Sequence, residues 1–218
     1  MLQERVKQIL DTLKAGNCLG ESVTLVAATK TRTAEEINLA IEAGVTDIGE
    51  NRVQEFTAKY DLIDGARRHF IGRLQTNKVK YLIGKTSLIH SVDRQELADT
   101  IARLSQKAGI VTDILLEVNL GEESKGGYPL SKAFEAYEKL RDTKGIRICG
   151  FMAMLPLNAT EIEAGRLCDK MRALYDRARA QDENIEYLSM GMSSDWKLCL
   201  AHGANMIRLG TSIFGERN

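Results

Sequence analysis

Apolar residues along the chain switch repeatedly between helical and strand spacing. Leu2, Val6, Ile9, Leu10 and Leu13 fall on one face of an opening helix. Residues 22–29 (SVTLVAAT) then form an apolar run of strand length. Thr33, Ala34, Glu35 and Glu36 make a capping box, followed by Ile37, Ala40 and Ile41 on one helical face and Gly44 as the stop. The same alternation predicts strands over 46–49, 69–72, 86–90, 112–119, 146–152, 186–190 and 205–209. Helices are predicted over 51–62, from about 75, and from Asp93 and Glu96 to Gly109. Further helices carry Phe134, Tyr137 and Leu140, start at the capping box Thr160–Glu163, and span 195–202.

Roughly eight strand–helix units behind one extra helix imply a parallel sheet covered by helices. That count favours an α/β fold of the closed (β/α)8 TIM-barrel type over an open doubly wound sheet. The chain has 218 residues, short for such a barrel, so its loops must be lean. Only Pro129 and Pro156 occur, and no linker divides the chain. Residues 1–218 are therefore expected to form one barrel domain with no second domain.

Thirty Lys+Arg balance thirty Asp+Glu. Nucleic acid and anionic membranes are accordingly not expected as partners. Cys18, Cys149, Cys168 and Cys199 form no Cys-x-x-Cys pair, and three histidines are too scattered to complete a metal site. Reduced, mostly buried thiols are expected. The apolar runs are strand-sized and the amphipathic start contains acids, so neither a membrane helix nor a secretory leader is expected. A cytoplasmic location follows as an expectation.

Chemistry in a barrel gathers at the carboxyl ends of the strands. Those ends carry Lys30, Glu50 with Asn51, Gly72 with Arg73, Ser91 with Asp93, Asn119, Met152 with Met154, Ser189 to Gly191, and Arg208 with Gly210 and Thr211. Lys30 ends the run VTLVAATK, where a desolvated, neutral amine could attack a carbonyl to form a Schiff base. The plainer alternative is a lysine reaching from a strand end into water. Two Gly plus Ser/Thr loops, LSMGMSSDW and MIRLGTSIFG, follow the last two strands, where barrels commonly bind phosphate. Ser189, Gly191, Gly210 and Thr211 are the candidates, although such turns also serve as plain caps. Lysine, arginine and loops together point to a phosphorylated aldehyde held covalently.

These stretches carry a resemblance to a known family. The chain resembles the pyridoxal-phosphate-binding homeostasis proteins, the YggS/PROSC family, which have the alanine-racemase-type barrel. The matching segments are VAATKT around Lys30, IGENRVQE at 48–55, HFIGRLQTNK at 69–78 and VNLGEESKGG at 118–127. GFMAM at 150–154, LSMGMSSDW at 188–196 and IRLGTSIFGER at 207–217 complete a match over essentially the whole chain. Leu155 departs from the isoleucine-proline that often follows GFMAM. The resemblance implies that Lys30 holds pyridoxal 5′-phosphate as a Schiff base and that Asn51 lies beside its ring. It further implies that Ser189, Gly210 and Thr211 bind the phosphate, that Met190 and Gly191 line the phosphate side through backbone, and that Arg208 faces the pyridine nitrogen.

An arginine there can only donate, so the ring nitrogen stays unprotonated and the electron sink is weak. A racemase also needs acid/base groups on both faces of its substrate. In racemases with this barrel the resemblance implies that a β-rich second domain supplies one face, and no such domain is expected here. A monomeric cofactor carrier in vitamin B6 homeostasis, not an enzyme, is therefore expected, with indirect effects on amino-acid and keto-acid balance. Its partners would be pyridoxal 5′-phosphate and the apoenzymes that receive it. The alternative is a minimal racemase or a Schiff-base lyase. GEESKGG at 121–127 lacks the phosphate-loop pattern and is expected to be a mobile loop whose Lys125 assists release. Arg67, Arg68 and His69 are expected to form a solvated strand entrance, Trp196 to pack its helix, and His202 to face solvent or a helix end.

Overall fold

The structure, a computed structural model, describes residues 1–122 and 125–216. Eight parallel strands form the barrel. They are β1 (Thr24–Ala28), β2 (Asp47–Glu50), β3 (Arg67–Phe70), β4 (Leu88–Val92), β5 (Thr112–Asn119), β6 (Ile146–Ala153), β7 (Tyr187–Ser189) and β8 (Met206–Leu209). Strand β1 pairs with both β2 and β8, and the β4–β5 pairing closes the ring. A two-residue strand, Tyr128–Pro129, flanks β5. Closure leaves the barrel strands no free edge, which suits their nearly continuous burial.

Alternation sorts the strand residues into two sets. Val26, Leu88, Leu115, Met152 and Met206 pack with one another inside the barrel. Leu25, Ala27, Ile48, Ile207 and Leu209 pack outward with helical residues Val6, Ile9, Leu13, Ile37 and Ala40. Each fully buried aliphatic side chain contributes about 1.5–3 kcal/mol, so this double layer specifies the closed register.

The helices are α1 (Leu2–Leu13), α2 (Ala34–Glu42), α3 (Val53–Lys59), α4 (Gln95–Lys107), α5 (Leu130–Leu140), α6 (Glu161–Arg179), α7 (Trp196–Ala201) and α8 (Thr211–Phe214). Both expected capping boxes form, at Thr33 with Glu36 and at Thr160 with Glu163. Gly44, at φ 113°, ends α2 as expected. The helix expected from about 75 is instead a 3-10 helix, Thr76–Tyr81, whose single fully buried anchor is Val79. The segment expected as a helix over 51–62 starts at Val53 and finishes as a 3-10 turn, Tyr60–Leu62.

Among the described residues no helix is long and apolar enough to cross a membrane. No group of three or more His, Cys, Asp or Glu among them could hold a metal ion. Cys149, Cys168 and Cys199 are buried free thiols, and Cys18 is exposed.

Candidate cofactor site

The carboxyl ends of β2 to β6 surround a cleft of about 240 Å3, lined by Asn51, Ile71, Gly72, Arg73, Asp93, Glu117, Lys125, Gly126 and Met154. Asn51 sits at its floor because β2 and β3 close tightly there. A Cβ on Gly72 would lie 2.1 Å from the Asn51 carbonyl oxygen, so only glycine permits this approach. The Asn51 side-chain oxygen Oδ1 is buried with no hydrogen-bond partner. An unmet buried acceptor costs about 1–3 kcal/mol, which a donor on a ligand would recover.

Lys30 is half-buried just beyond β1. Its turn is over-determined from below. Thr31 adopts φ 64°, unusual for a β-branched residue, and its amide donates to Glu55 Oε2 at 2.8 Å. Burial pushes the Glu55 carboxyl up, but the Thr31 amide and Lys59 outweigh it and hold it below the usual value. Lys59 Nζ donates to Glu50 Oε1 at 2.7 Å, to Glu55 Oε2 at 3.2 Å and to the Thr29 carbonyl at 3.2 Å. Thr29 Oγ1 donates to Glu50 Oε1 at 2.8 Å, so one buried carboxylate ties the ends of β1 and β2 to α3.

Arg208, on β8, is 5% exposed. Its Nη1 donates to Ser189 Oγ at 2.6 Å and to the Ser189 carbonyl at 2.9 Å, while Nη2 donates to the Ala153 carbonyl at 3.0 Å. Burial pushes its pKa down to about 10, which still leaves the guanidinium charged at neutral pH. Glu117, which lines the cleft, is pushed up to about 7, first by burial and then by Asp93. Asp93, expected at the β4 end and as the opener of the next helix, lies in this mouth, and α4 begins after it at Gln95.

Beneath Arg208 runs a chain of buried polar groups. Ser189 Oγ lies 3.3 Å from His90 Nδ1, His90 Nε2 lies 2.8 Å from His69 Nδ1, and His69 Nε2 lies 2.8 Å from Asp47 Oδ1. Burial, then His69 and Arg208, pushes the His90 pKa well below the ordinary value. Burial raises the Asp47 pKa, but bonds from His69, Thr46 and Arg67 outweigh it and hold the carboxyl low. His69 is only 3% exposed, which corrects the expectation of a solvated entrance at Arg67 to His69. Two residues after exposed Arg67, its side chain has entered the barrel.

The residues expected to cradle a phosphate occupy different positions. Ser189 is fully buried and its hydroxyl is engaged by Arg208 and His90. The Met190 amide donates to the Met206 carbonyl at 3.0 Å, inside the sheet. Gly191, at φ 105°, brings its backbone against Trp196, where a Cβ would lie 2.9 Å from the Trp196 Cα. Gly210 and Thr211 open α8. Ser193, which the sequence did not single out, accepts from the Ser212 amide at 3.2 Å and so joins the two glycine-containing loops. Its signal was its place four residues beyond the strand end at Ser189, out in the turn. Trp196 is buried in the outer core as expected, and His202 Nδ1 lies 2.6 Å from Asp169 Oδ1. Lys125 pairs with Glu122. Glu123 and Ser124 of the expected loop lie outside the described residues.

The family model "Alanine racemase, N-terminal domain" matches residues 6–218. The pyridoxal phosphate homeostasis protein of Aquifex aeolicus is 40% identical over 224 residues, covering 98% of this chain and 97% of that protein. The chain belongs to the pyridoxal phosphate homeostasis protein family. Another member, from Escherichia coli K12, is 31% identical over 204 residues, covering 91% of this chain and 87% of its own length. Among solved structures, PipY of Synechococcus elongatus with pyridoxal phosphate bound is 32% identical. It superposes with a TM-score of 0.87, covering 99% of this chain and 100% of that one. An alanine racemase from Clostridium difficile, 15% identical with a TM-score of 0.77, shares the fold over 98% of this chain and 60% of its own.

Proposed function

We propose that this chain binds pyridoxal 5′-phosphate at the barrel mouth and holds it for cofactor homeostasis, without catalysing a reaction of its own. The observation that carries this function is the buried, charged Arg208 on β8, together with an Asn51 oxygen at the end of β2 that lacks a partner. Both suit a planar heteroaromatic ligand with ring acceptors and donors. When bound, the cofactor supplies an aldehyde that condenses reversibly with a lysine amine. Lys30 is the lysine assigned, held at the rim by the Glu50–Lys59–Glu55 cluster. Gly191, Gly210 and Thr211, with Ser193 joining their loops, would receive the phosphate. Ser189 is reassigned from the phosphate to holding Arg208.

The carrier role follows from what Arg208 does. A guanidinium donates and never protonates the ring nitrogen, so it keeps the ligand a poor electron sink among cytoplasmic amino acids. Release to apoenzymes would then act on amino-acid and keto-acid balance indirectly. The test is an absorption titration of the purified protein with pyridoxal 5′-phosphate, coupled to deuterium exchange at the α-carbon of alanine. A saturable new band that Lys30→Ala abolishes, with no exchange above that of the free cofactor, supports the function. Rapid exchange by the wild type favours the racemase alternative and overturns it.

A further inference from the structure

We propose that a polarised hydrogen-bond relay through the barrel interior, Asp47–His69–His90–Ser189–Arg208, sets the orientation of the Arg208 guanidinium, making His90 and His69 positioning residues for the ligand ring. This rests on the ligand assignment above only in its last step, since the relay itself belongs to the ligand-free protein.

Hydrogen counting fixes its direction. Arginine has only donors, so Ser189 Oγ accepts from Arg208 Nη1 at 2.6 Å. The serine hydrogen then goes to His90 Nδ1 at 3.3 Å, which must be an acceptor. His90 therefore carries its hydrogen on Nε2 and donates to His69 Nδ1 at 2.8 Å. His69 in turn carries its hydrogen on Nε2 and donates to the Asp47 carboxylate at 2.8 Å. Thr46 Oγ1, at 2.7 Å, and Arg67 Nη2, at 3.1 Å, donate to the other Asp47 oxygen and close the chain. The opposite polarity would place a second hydrogen on His69. It would also leave the serine hydrogen without an acceptor among the described residues, deep in the core, a costly arrangement. Burial of His90 beside Arg208 also disfavours a charged ring there.

The relay reaches across the barrel. Strands β4 and β7 are three places apart in the ring, yet His90 on one meets Ser189 on the other. Three guanidinium hydrogens are committed, two to Ser189 and one to Ala153. That leaves the Nε hydrogen and the second Nη2 hydrogen for a ligand acceptor. Without the His90 anchor, Ser189 Oγ is free to rotate and the guanidinium is held by carbonyls alone.

Two experiments test this. In ligand-free protein labelled with nitrogen-15 histidine, two-bond proton–nitrogen correlation spectra at neutral pH should show the Nε2–H tautomer on both His69 and His90. A hydrogen on Nδ1 of either ring overturns the relay, whatever the ligand. Second, His90→Leu should weaken pyridoxal 5′-phosphate binding by roughly tenfold and shift the absorption of the bound form, a loss equivalent to one charge-assisted bond. His90→Gln should restore both, because its amide can accept from Ser189 and donate to His69. Leucine and wild-type proteins with the same affinity and spectrum overturn the positioning role. A wild type that takes up no pyridoxal 5′-phosphate removes the ligand assignment instead, and the tautomers still decide the relay.

Discussion

The Lys59 ammonium lies 2.7 Å from the Glu50 carboxylate, directly under the turn that carries Lys30. Glu50 is 4% exposed, so this pair is a buried one whose desolvation is offset only while both partners and Thr29 remain in place. It connects the strand-end geometry to the lysine through the Thr31–Glu55 bond.

Removing one partner should therefore be expensive. Lys59→Met leaves Glu50 buried without its cation, and such losses typically reach about 3–5 kcal/mol. Urea unfolding should show that drop. The double variant Lys59→Met with Glu50→Gln should recover a large part of it, because no buried charge is left over. The single variant alone should also weaken cofactor uptake by displacing the Lys30 turn.

Thr31 offers the opposite sign. Its φ of 64° strains a residue with a branched Cβ by about 1–2 kcal/mol. Thr31→Gly relieves that strain but adds about 0.5–1 kcal/mol of chain entropy to lose on folding. The net expected change is a gain of about 0.5 kcal/mol in thermal or urea unfolding. Cofactor affinity should fall nonetheless, since the Lys30 turn becomes looser.

The two serines of the β7 segment should separate cleanly. Ser193→Ala should weaken pyridoxal 5′-phosphate binding by roughly tenfold while leaving pyridoxal, which lacks the phosphate, unaffected. Ser189→Ala should weaken both ligands alike, because it disturbs Arg208 rather than the phosphate loops. Paired titrations of the two ligands against each variant make the distinction. A phosphate-selective loss in Ser189→Ala would return that residue to the phosphate.

Glu117 makes stability depend on pH. Its folded value near 7 exceeds the ordinary 4.5, so the folded state keeps a proton that the unfolded chain releases between those values. Stability contributed by this group is present below pH 4.5 and falls as pH rises through 7, by on the order of 3 kcal/mol in total. Glu117→Gln cannot titrate and should remove that slope. Unfolding free energies of both proteins at pH 5 and pH 8 give the comparison, with the larger wild-type decline expected toward pH 8.

The barrel was legible because its signals are local. The capping boxes at Thr33 and Thr160, Gly44 past α2, and the apolar strand runs each act within a few residues. The site was legible in outline, since strand ends are where a barrel exposes its chemistry. What stayed hidden needed the third dimension. Arg67, Arg68 and His69 read as one polar run, but alternate strand residues point to opposite faces, and His69 faces inward beside His90 from another strand. Ser189 and Ser193 are equivalent in composition. Only strand length, with β7 ending at Ser189, leaves the first hydroxyl in the interior and the second in the loop. Glu117 sits in an apolar strand, so nothing nearby in sequence announces Asp93 as its like-charged neighbour. The 3-10 segment Thr76–Tyr81 has the composition of a helix and lacks the second buried anchor of one.

Lys30 is proposed as the residue through which this chain holds pyridoxal 5′-phosphate. Borohydride reduction of the cofactor-loaded protein, followed by peptide mass mapping, decides this assignment. One stoichiometric pyridoxyl adduct is expected on the peptide containing Lys30, with no colour in Lys30→Ala despite an unchanged fold by circular dichroism. An adduct confined to Lys59, Lys125 or any other lysine would contradict it.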